Sequence, residues 1–348
     1  MPVSAFNRPG QASGAGEPDV NLLRVFAGEV LACFAEKNVM MGLTRVKTVS
    51  GGAVSWQFPV LGIAGTSYHT AGENILLDAD AGASTDLKTI KAAARTIFAD
   101  NALISSFFLD NLDAMLTHWD ARSEYAREIG AAIARTVDKN LMRLIFKAAK
   151  ASATIAGGYG PGLGTNGGST VVDADGDTNA ASFVDALFSA KLALDQKHVP
   201  TEGRYMLISP AQMKLLFASG GAVTAAQWVS ADYNGAPNGN FGDGKIPRLA
   251  GFTLIETNHL EVTAATTFGD TYNQYSTSST NDYRYTTGAG ETILGLGFQS
   301  GAVGTVKLED LSVETERLIE YQGDLTVARM VLGHGILRPE CAVSIAKA

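Results

Sequence analysis

Cysteine is nearly missing from this chain. Only Cys33 and Cys341 occur in 348 residues, and neither has metal-type spacing, which excludes a zinc site built on them. Two free thiols suit a reducing compartment. Charge is scarce as well: charged residues make up 18% of the chain, below the usual share. The balance is acidic, with a formal net charge of −8 and a pI of about 5.2. No basic stripe is visible, so tight nucleic-acid binding through displaced counterions is excluded. No apolar run approaches the span of a membrane helix. The opening MPVSAFNRPGQASGAGEPDV lacks a basic segment followed by an apolar one, which predicts no secretory signal there and synthesis in the cytosol.

What the chain does have is apolar material. Hydrophobic residues are 46% and the mean hydropathy is +0.07. Its length predicts two domains. A slightly hydrophobic, weakly charged chain without a membrane segment buries surface elsewhere, and subunit contacts in a large homo-oligomer are the natural place.

Residues 1–19 are rich in Gly, Pro, Ala and Ser and read as a flexible arm. Asp19 then caps a predicted helix to about Lys37, with Leu22, Leu23, Phe26, Val30, Leu31 and Phe34 at helical spacing. Residues 44–62 alternate around Ser50-Gly51-Gly52, a hairpin signature. Together with LKTIKAAARTIFAD, the stretch from about 46 to 92 reads as a long two-stranded excursion. A lone ribbon is marginal in water, and with no third strand nearby a neighbouring subunit is the surface it would lie on.

The strongest helix spans 120–151, capped by Asp120, with Tyr125, Ile129, Ile133, Val137, Leu141 and Ile145 recurring every fourth residue. The glycine-rich run AGGYGPGLGTNGGSTVVDADGDTN that follows reads as a linker and domain boundary. Beyond it, 180–197 and PAQMKLLFA read as helices, the latter with Pro210 in its first turn. RYMLIS, FTLIETNHL, ETILGLGF, AVGTVKLEDLSVETERLIEY, LTVARMVLGHG and CAVSIA read as strands. Residues 266–290 read as a surface loop.

Candidate chemistry is thin. Gly162, Gly164 and Gly167 fit GxGxxG, but a helix and Pro161 precede them and a polar run follows, so the fingerprint lacks its strand and its helix. Asp173, Asp175 and Asp177 resemble the start of a calcium loop, yet the glycine is misplaced and Val184 stands where the bidentate glutamate belongs. The five histidines, His69, His118, His198, His259 and His334, form no HxH, HExxH or i,i+4 pair, and no Gly-x-Ser-x-Gly elbow is present. No residue is assigned a catalytic, cofactor-binding or metal-binding role, and no enzyme activity is expected.

The blocks FQSGAVGTVKLEDL and GHGILRPECAVSI resemble the C-terminal region of major capsid proteins of short-tailed double-stranded-DNA phages of the T-seven type, the podoviruses. FAGEVLACFAEKNV, FPVLG, AGEN and HWDARSEYAREIG are similar to that family's N-terminal and spine regions, in the same order. RYMLISPAQMKLL and RLAGFTLIETNHL are similar to its middle. The resemblance runs from about Leu22 to Ile345.

It implies an α+β fold of the Hong Kong 97 capsid type. Residues 1–45 would be an N-terminal arm and 46–92 an extended E-loop. The P-domain would take 93–165, with the spine helix at 120–151, and the returning strands 306–348. The A-domain, 166–305, would be inserted between them. The implied function is self-assembly into hexamers and pentamers of an icosahedral head enclosing double-stranded DNA, bound without sequence specificity. Further implied partners are a scaffolding protein during assembly and a portal protein at one vertex, with assembly in the host cytoplasm and residence in the virion.

Two other readings compete: a compartment of the same fold enclosing a protein cargo, and a soluble enzyme with a cofactor at the glycine run. In GHGILRPE, Gly333 and Gly335 are expected to permit a bulge or tight backbone approach in a bend joining two strands. Arg338 is expected to make an intersubunit or spine-helix contact.

Overall fold

The computed structural model describes residues 33–34, 38–50, 53–64, 68, 90–110, 122–155, 167–217, 248–260, 283 and 291–347. The strands in chain order begin with β1 Arg45–Thr48, β2 Ser55–Leu61, β3 Ala92–Phe98 and β4 Leu103–Asp110. Helix α1 Arg122–Lys150 follows, then β5 Ser169–Val172, α2 Ala180–Gln196, β6 Arg204–Ile208 and α3 Pro210–Phe217. The remainder are β7 Arg248–Leu249, β8 Phe252–Glu256, β9 Thr292–Gln299, β10 Val303–Leu318, β11 Gly323–Ile336 and β12 Ala342–Lys347.

Helix α1 is the axis of the core. Its 29 residues make a rod about 44 Å long at 1.5 Å per residue. Ile129, Ile133, Val137, Leu141 and Ile145 are all buried, as their fourfold spacing predicts. Lys147 and Lys150 sit in its last turn, where positive charge complements the helix dipole. The same core takes in Phe183 and Leu187 of α2, Met206 and Leu207 of β6, Phe252 of β8, Phe298 of β9 and Val343 of β12. Asn179 caps α2 by accepting from the Ala181 amide at 3.0 Å. Ser209 accepts from the Gln212 amide at the start of α3.

Three sheets surround this core. A four-stranded sheet has the order β1-β10-β11-β4, a six-stranded sheet β5-β12-β9-β6-β8-β7, and β2 pairs with β3 alone. Strands β10 and β11 form a long antiparallel hairpin, from Val303↔Ile336 to Leu318↔Gly323. A single 3-10 turn, Ile319–Tyr321, lies at its tip.

Four expectations change. Residues 44–62 do not form a hairpin, because β1 runs parallel to β10 while β2 pairs antiparallel to β3. Alternation gives a strand's period without naming its partner. The glycine-rich run is not wholly linker: STVV inside it forms β5, parallel to β12. Gly167 and Gly168 pack on the end of α1, and a Cβ at Gly168 would overlap the Ala148 carbonyl oxygen. Glycine here serves close approach rather than looseness.

The segment 306–348, expected to return as one unit, divides between sheets. β10 and β11 belong to the four-stranded sheet, whereas β12 lies in the six-stranded one between β5 and β9. Finally, Gly333-His334-Gly335 is not a bend. It is the interior of β11, and the chain turns after it at Pro339–Cys341. The expected cap Asp120, the arm 1–19 and most of the helix 19–37 lie outside the described residues, although Cys33 and Phe34 are helical.

Candidate assembly surface

The β2–β3 ribbon pairs Ser55↔Phe98 through Leu61↔Ala92, and no third strand joins it among the described residues. The longest two-stranded part therefore reaches Phe98, beyond the expected limit at 92. Its base is anchored. Ile97 is buried with Val49, Val306 and Leu337, and Phe58 packs against them. The neighbouring strands are shaped for this: a Cβ at Gly335 would lie 2.8 Å from Ile97 Cγ1, and one at Gly333 would overlap the Phe98 carbonyl oxygen. Farther out, Val60 packs on Ile155 and Ala93.

The rest of the ribbon carries apolar side chains into solvent. Val54, Trp56, Leu61, Ile63 and Ile90 are all exposed, Leu61 at 62% and Ile90 at 58%. Lys47 Nζ stands 4.8 Å from the centre of the Trp56 ring, a cation–π contact. Described residues 45–64 and 90–99 hold Arg45, Lys47, Lys91 and Arg95 and no carboxylate.

The β10–β11 hairpin has the opposite sign. Between 307 and 329, six carboxylates face three basic residues. Arg329 pairs with Glu309 and Glu314 at 3.1 Å each, and Lys307 with Asp310 at 2.6 Å. Such exposed pairs stabilise by only about 0–1 kcal/mol. At the tip Ile319 is 76% and Tyr321 54% exposed, and Tyr321 meets Phe108 of β4 edge to face at 6.3 Å. A basic, apolar arm and an acidic, apolar-tipped hairpin are the features of a subunit whose surface is completed by other subunits.

A family model for the Gp10A-like major capsid proteins matches residues 57–346. The chain belongs to this family. It is 29% identical over 343 residues to the major capsid protein of Escherichia phage T7, covering 95% of this chain and 93% of that protein. It is 27% identical over 350 residues to the major capsid protein of Enterobacteria phage T3, covering 97% and 94%. Among solved structures, the capsid of cyanophage P-SCSP1u aligns with a TM-score of 0.68 at 27% identity, covering 97% of this chain and 92% of that one. The Gp10A-like chain is thus a building block of the phage head shell, a structural protein that assembles with its own kind in the virion.

The candidate chemical groups take structural places in this capsid protein. Asp173 accepts from Ser182 Oγ at 2.6 Å and from the Asp175 amide, while Asp177 pairs with Lys347 at 2.7 Å. They organise the turn into α2. Of the glycine fingerprint only Gly167 is described, and Lys197 Nζ donates to its carbonyl at 2.6 Å; Gly162 and Gly164 lie outside the described residues, as do His69 and His118. Among the described residues no cluster of three or more His, Cys, Asp or Glu is placed to hold a metal. Arg338 precedes the Pro339–Cys341 turn, which packs against α1.

Two buried polar centres stand out, of which the sequence anticipates only Arg204, as a structural ion-pair residue. Asp138 in α1 is 0% exposed. Its carboxylate accepts from the Val39 and Met40 amides at 3.2 and 3.1 Å and meets His259 Nδ1 at 3.2 Å. Burial raises its pKa, although the two amides and His259 hold it down. Arg204, 4% exposed, donates to the Val199 and Pro200 carbonyls and to Asp195, so one guanidinium closes the whole 195–200 turn. The signal for Asp138 was present: it falls four residues after Ala134 and seven before Ile145, on the apolar stripe of α1.

His334 is buried in β11, with Nδ1 2.9 Å from Thr305 Oγ1 on the paired strand. Burial lowers its imidazole from 6.5 to about 4. Between these values the unfolded chain binds a proton that the folded chain refuses. Stability from this residue is therefore complete above pH 6.5 and falls as the pH drops towards 4, by about 3 kcal/mol in all. Urea unfolding at pH 7 and pH 4.5 should show a smaller acid loss in His334→Gln than in the parent. An equal loss in both would remove His334 from the acid response.

Proposed function

We propose that the chain forms a Hong Kong 97-type subunit, closing as hexamers and pentamers into an icosahedral head around double-stranded DNA. In this reading the β2–β3 ribbon is the E-loop, α1 the spine helix of the P-domain, and the four-stranded sheet the rest of that domain. The six-stranded sheet with α2 and α3 forms the A-domain, and residues 1–45 the N-terminal arm. The observation that carries the reading is the ribbon: two strands that touch the body at Ile97 and Val60, carry basic residues, and expose Val54, Trp56, Leu61, Ile63 and Ile90 to solvent. A ribbon of that kind is marginal alone and gains its burial on a neighbouring subunit.

A scaffolding protein guides closure, a portal protein takes one vertex, and assembly proceeds in the host cytoplasm. The acidic balance, −8 overall, leaves DNA loosely held. Co-expression with the phage's scaffolding protein, followed by electron microscopy, tests the reading. Shells of uniform diameter are expected, and only soluble monomers would sink it. Particles enclosing one defined protein instead of DNA would shift it to a cargo compartment.

The ribbon's charge can be tested separately. Lys47→Glu combined with Arg95→Glu should leave the subunit folded and lower the yield of shells at least tenfold, a loss of about 1.4 kcal/mol per contact. Wild-type yield would show that the basic face makes no contact. No lysine lies between Lys47 and Lys88, so the ribbon tip offers no amine for an isopeptide cross-link. Boiled particles should run as a single band near 36.4 kDa; a covalent ladder would contradict this.

A further inference from the structure

Strand β4 pairs with β11 only from Gly323 to Met330. Past Met330 the same edge of β11 has no strand beside it among the described residues, and its backbone groups still need partners. Two are found. Leu332 O accepts from the Asp100 amide at 2.8 Å. The His334 amide donates to the Tyr283 hydroxyl at 3.0 Å, and that hydroxyl donates in turn to the Asp100 carboxylate. Asp100 lies two residues past the end of β3, and the neighbouring Ala99 amide closes the ribbon base on Val54 O at 2.8 Å.

Tyr283 thus joins the ribbon's root to β11. It is 2% exposed, with its ring centre 5.7 Å from that of His334. Burial and the Asp100 charge raise its pKa well above the ordinary value, so the group stays a phenol and keeps its donor. The Asp100 amide reaches Leu332 O directly, and the Tyr283 hydroxyl adds a side-chain link from the Asp100 carboxylate to the His334 amide.

We propose that Tyr283 is the pin of the ribbon's hinge: a positioning residue that sets the angle at which β2 and β3 are presented to the next copy of the chain. Leverage makes this consequential. Seven residues of strand extend about 23 Å, with Val60 seated on Ile155 near the far end, so a turn at the root either unseats Val60 or re-aims the exposed Leu61, Ile63 and Ile90 beyond it. A packed interface does not tolerate a displacement of several ångströms.

The presentation to a neighbour rests on the shell-building reading above, whereas the pin does not. The test is therefore hydrogen exchange on unassembled subunits, followed by assembly. In Tyr283→Phe, the Asp100 and His334 amides should exchange roughly tenfold faster or more, with the α1 amides unchanged. The same variant should give few shells, or shells of scattered diameter. Should this variant fail to fold, Asp100→Asn and Asp100→Ala replace it: Asn retains an acceptor for the hydroxyl and should behave as wild type, while Ala should loosen the same amides. Unchanged protection in Tyr283→Phe, or Ala matching Asn, overturns the pin. Faster exchange with unaltered shells overturns it too, because the ribbon's angle would then be set elsewhere.

Discussion

Gly333→Ala is expected to leave a folded subunit that no longer closes a shell. The Cβ it adds would overlap the Phe98 carbonyl oxygen and press on Ala99 Cα. Both are backbone atoms, so no rotamer relieves the clash. The root of β3 must lift from β11, and Ile97 leaves its pocket among Val49, Val306 and Leu337. Overpacking of this kind costs about 1–3 kcal/mol, which a large core tolerates. The greater effect is on assembly, since the displaced root carries the whole ribbon with it. Shell yield, counted by sedimentation, should fall to near zero while the far-ultraviolet spectrum stays native. Gly42→Ala is the control, because nothing lies within 4 Å of its added Cβ; it should assemble normally. Wild-type shells from Gly333→Ala would show that the ribbon's seat on β11 is dispensable.

Asp138→Ala should instead unfold the subunit early. The change strands the Val39 and Met40 amides and deprives His259 of its partner, all around a fully buried position. Removing one member of a buried, hydrogen-bonded charge centre costs about 3–5 kcal/mol. For a chain of this size that lowers the melting midpoint by roughly 10 °C. Thermal unfolding followed by circular dichroism measures it. Asp138→Asn, which keeps one carbonyl acceptor, should fall between the two. A midpoint within a degree of wild type would mean that residues 38–40 are held by other contacts.

The long helix was legible because one physical rule, burial of a fourfold stripe, decides it without outside help. Ile129 through Ile145 carry that rule plainly. Strands β6, β8, β9 and β11 were legible for a similar reason, as apolar runs of the right length. Pairing was not. The alternation of 44–62 looks the same whether β1 bonds to β2 or, as found, to β10 more than 250 residues away. β5 hid among glycines because four β-branched or small residues give too short a signal. Of the assembly surface, the ribbon was legible from its want of a third strand, whereas Tyr283 and Asp100 were not. Their meeting spans 183 residues and leaves no local pattern.

The position of β12 has a bearing on how the subunit is made. This strand is the middle layer of a sandwich of pairings, bonded to β5 on one side and β9 on the other. Everything up to Lys347 must leave the ribosome before the six-stranded sheet can be sealed. A nascent or prematurely ended chain exposes two raw strand edges in place of that seal and has no finished surface to offer a growing shell. A subunit cut before Ala342 should leave the edges of β5 and β9 unpaired at once, so completion of the six-stranded sheet hangs on this one strand.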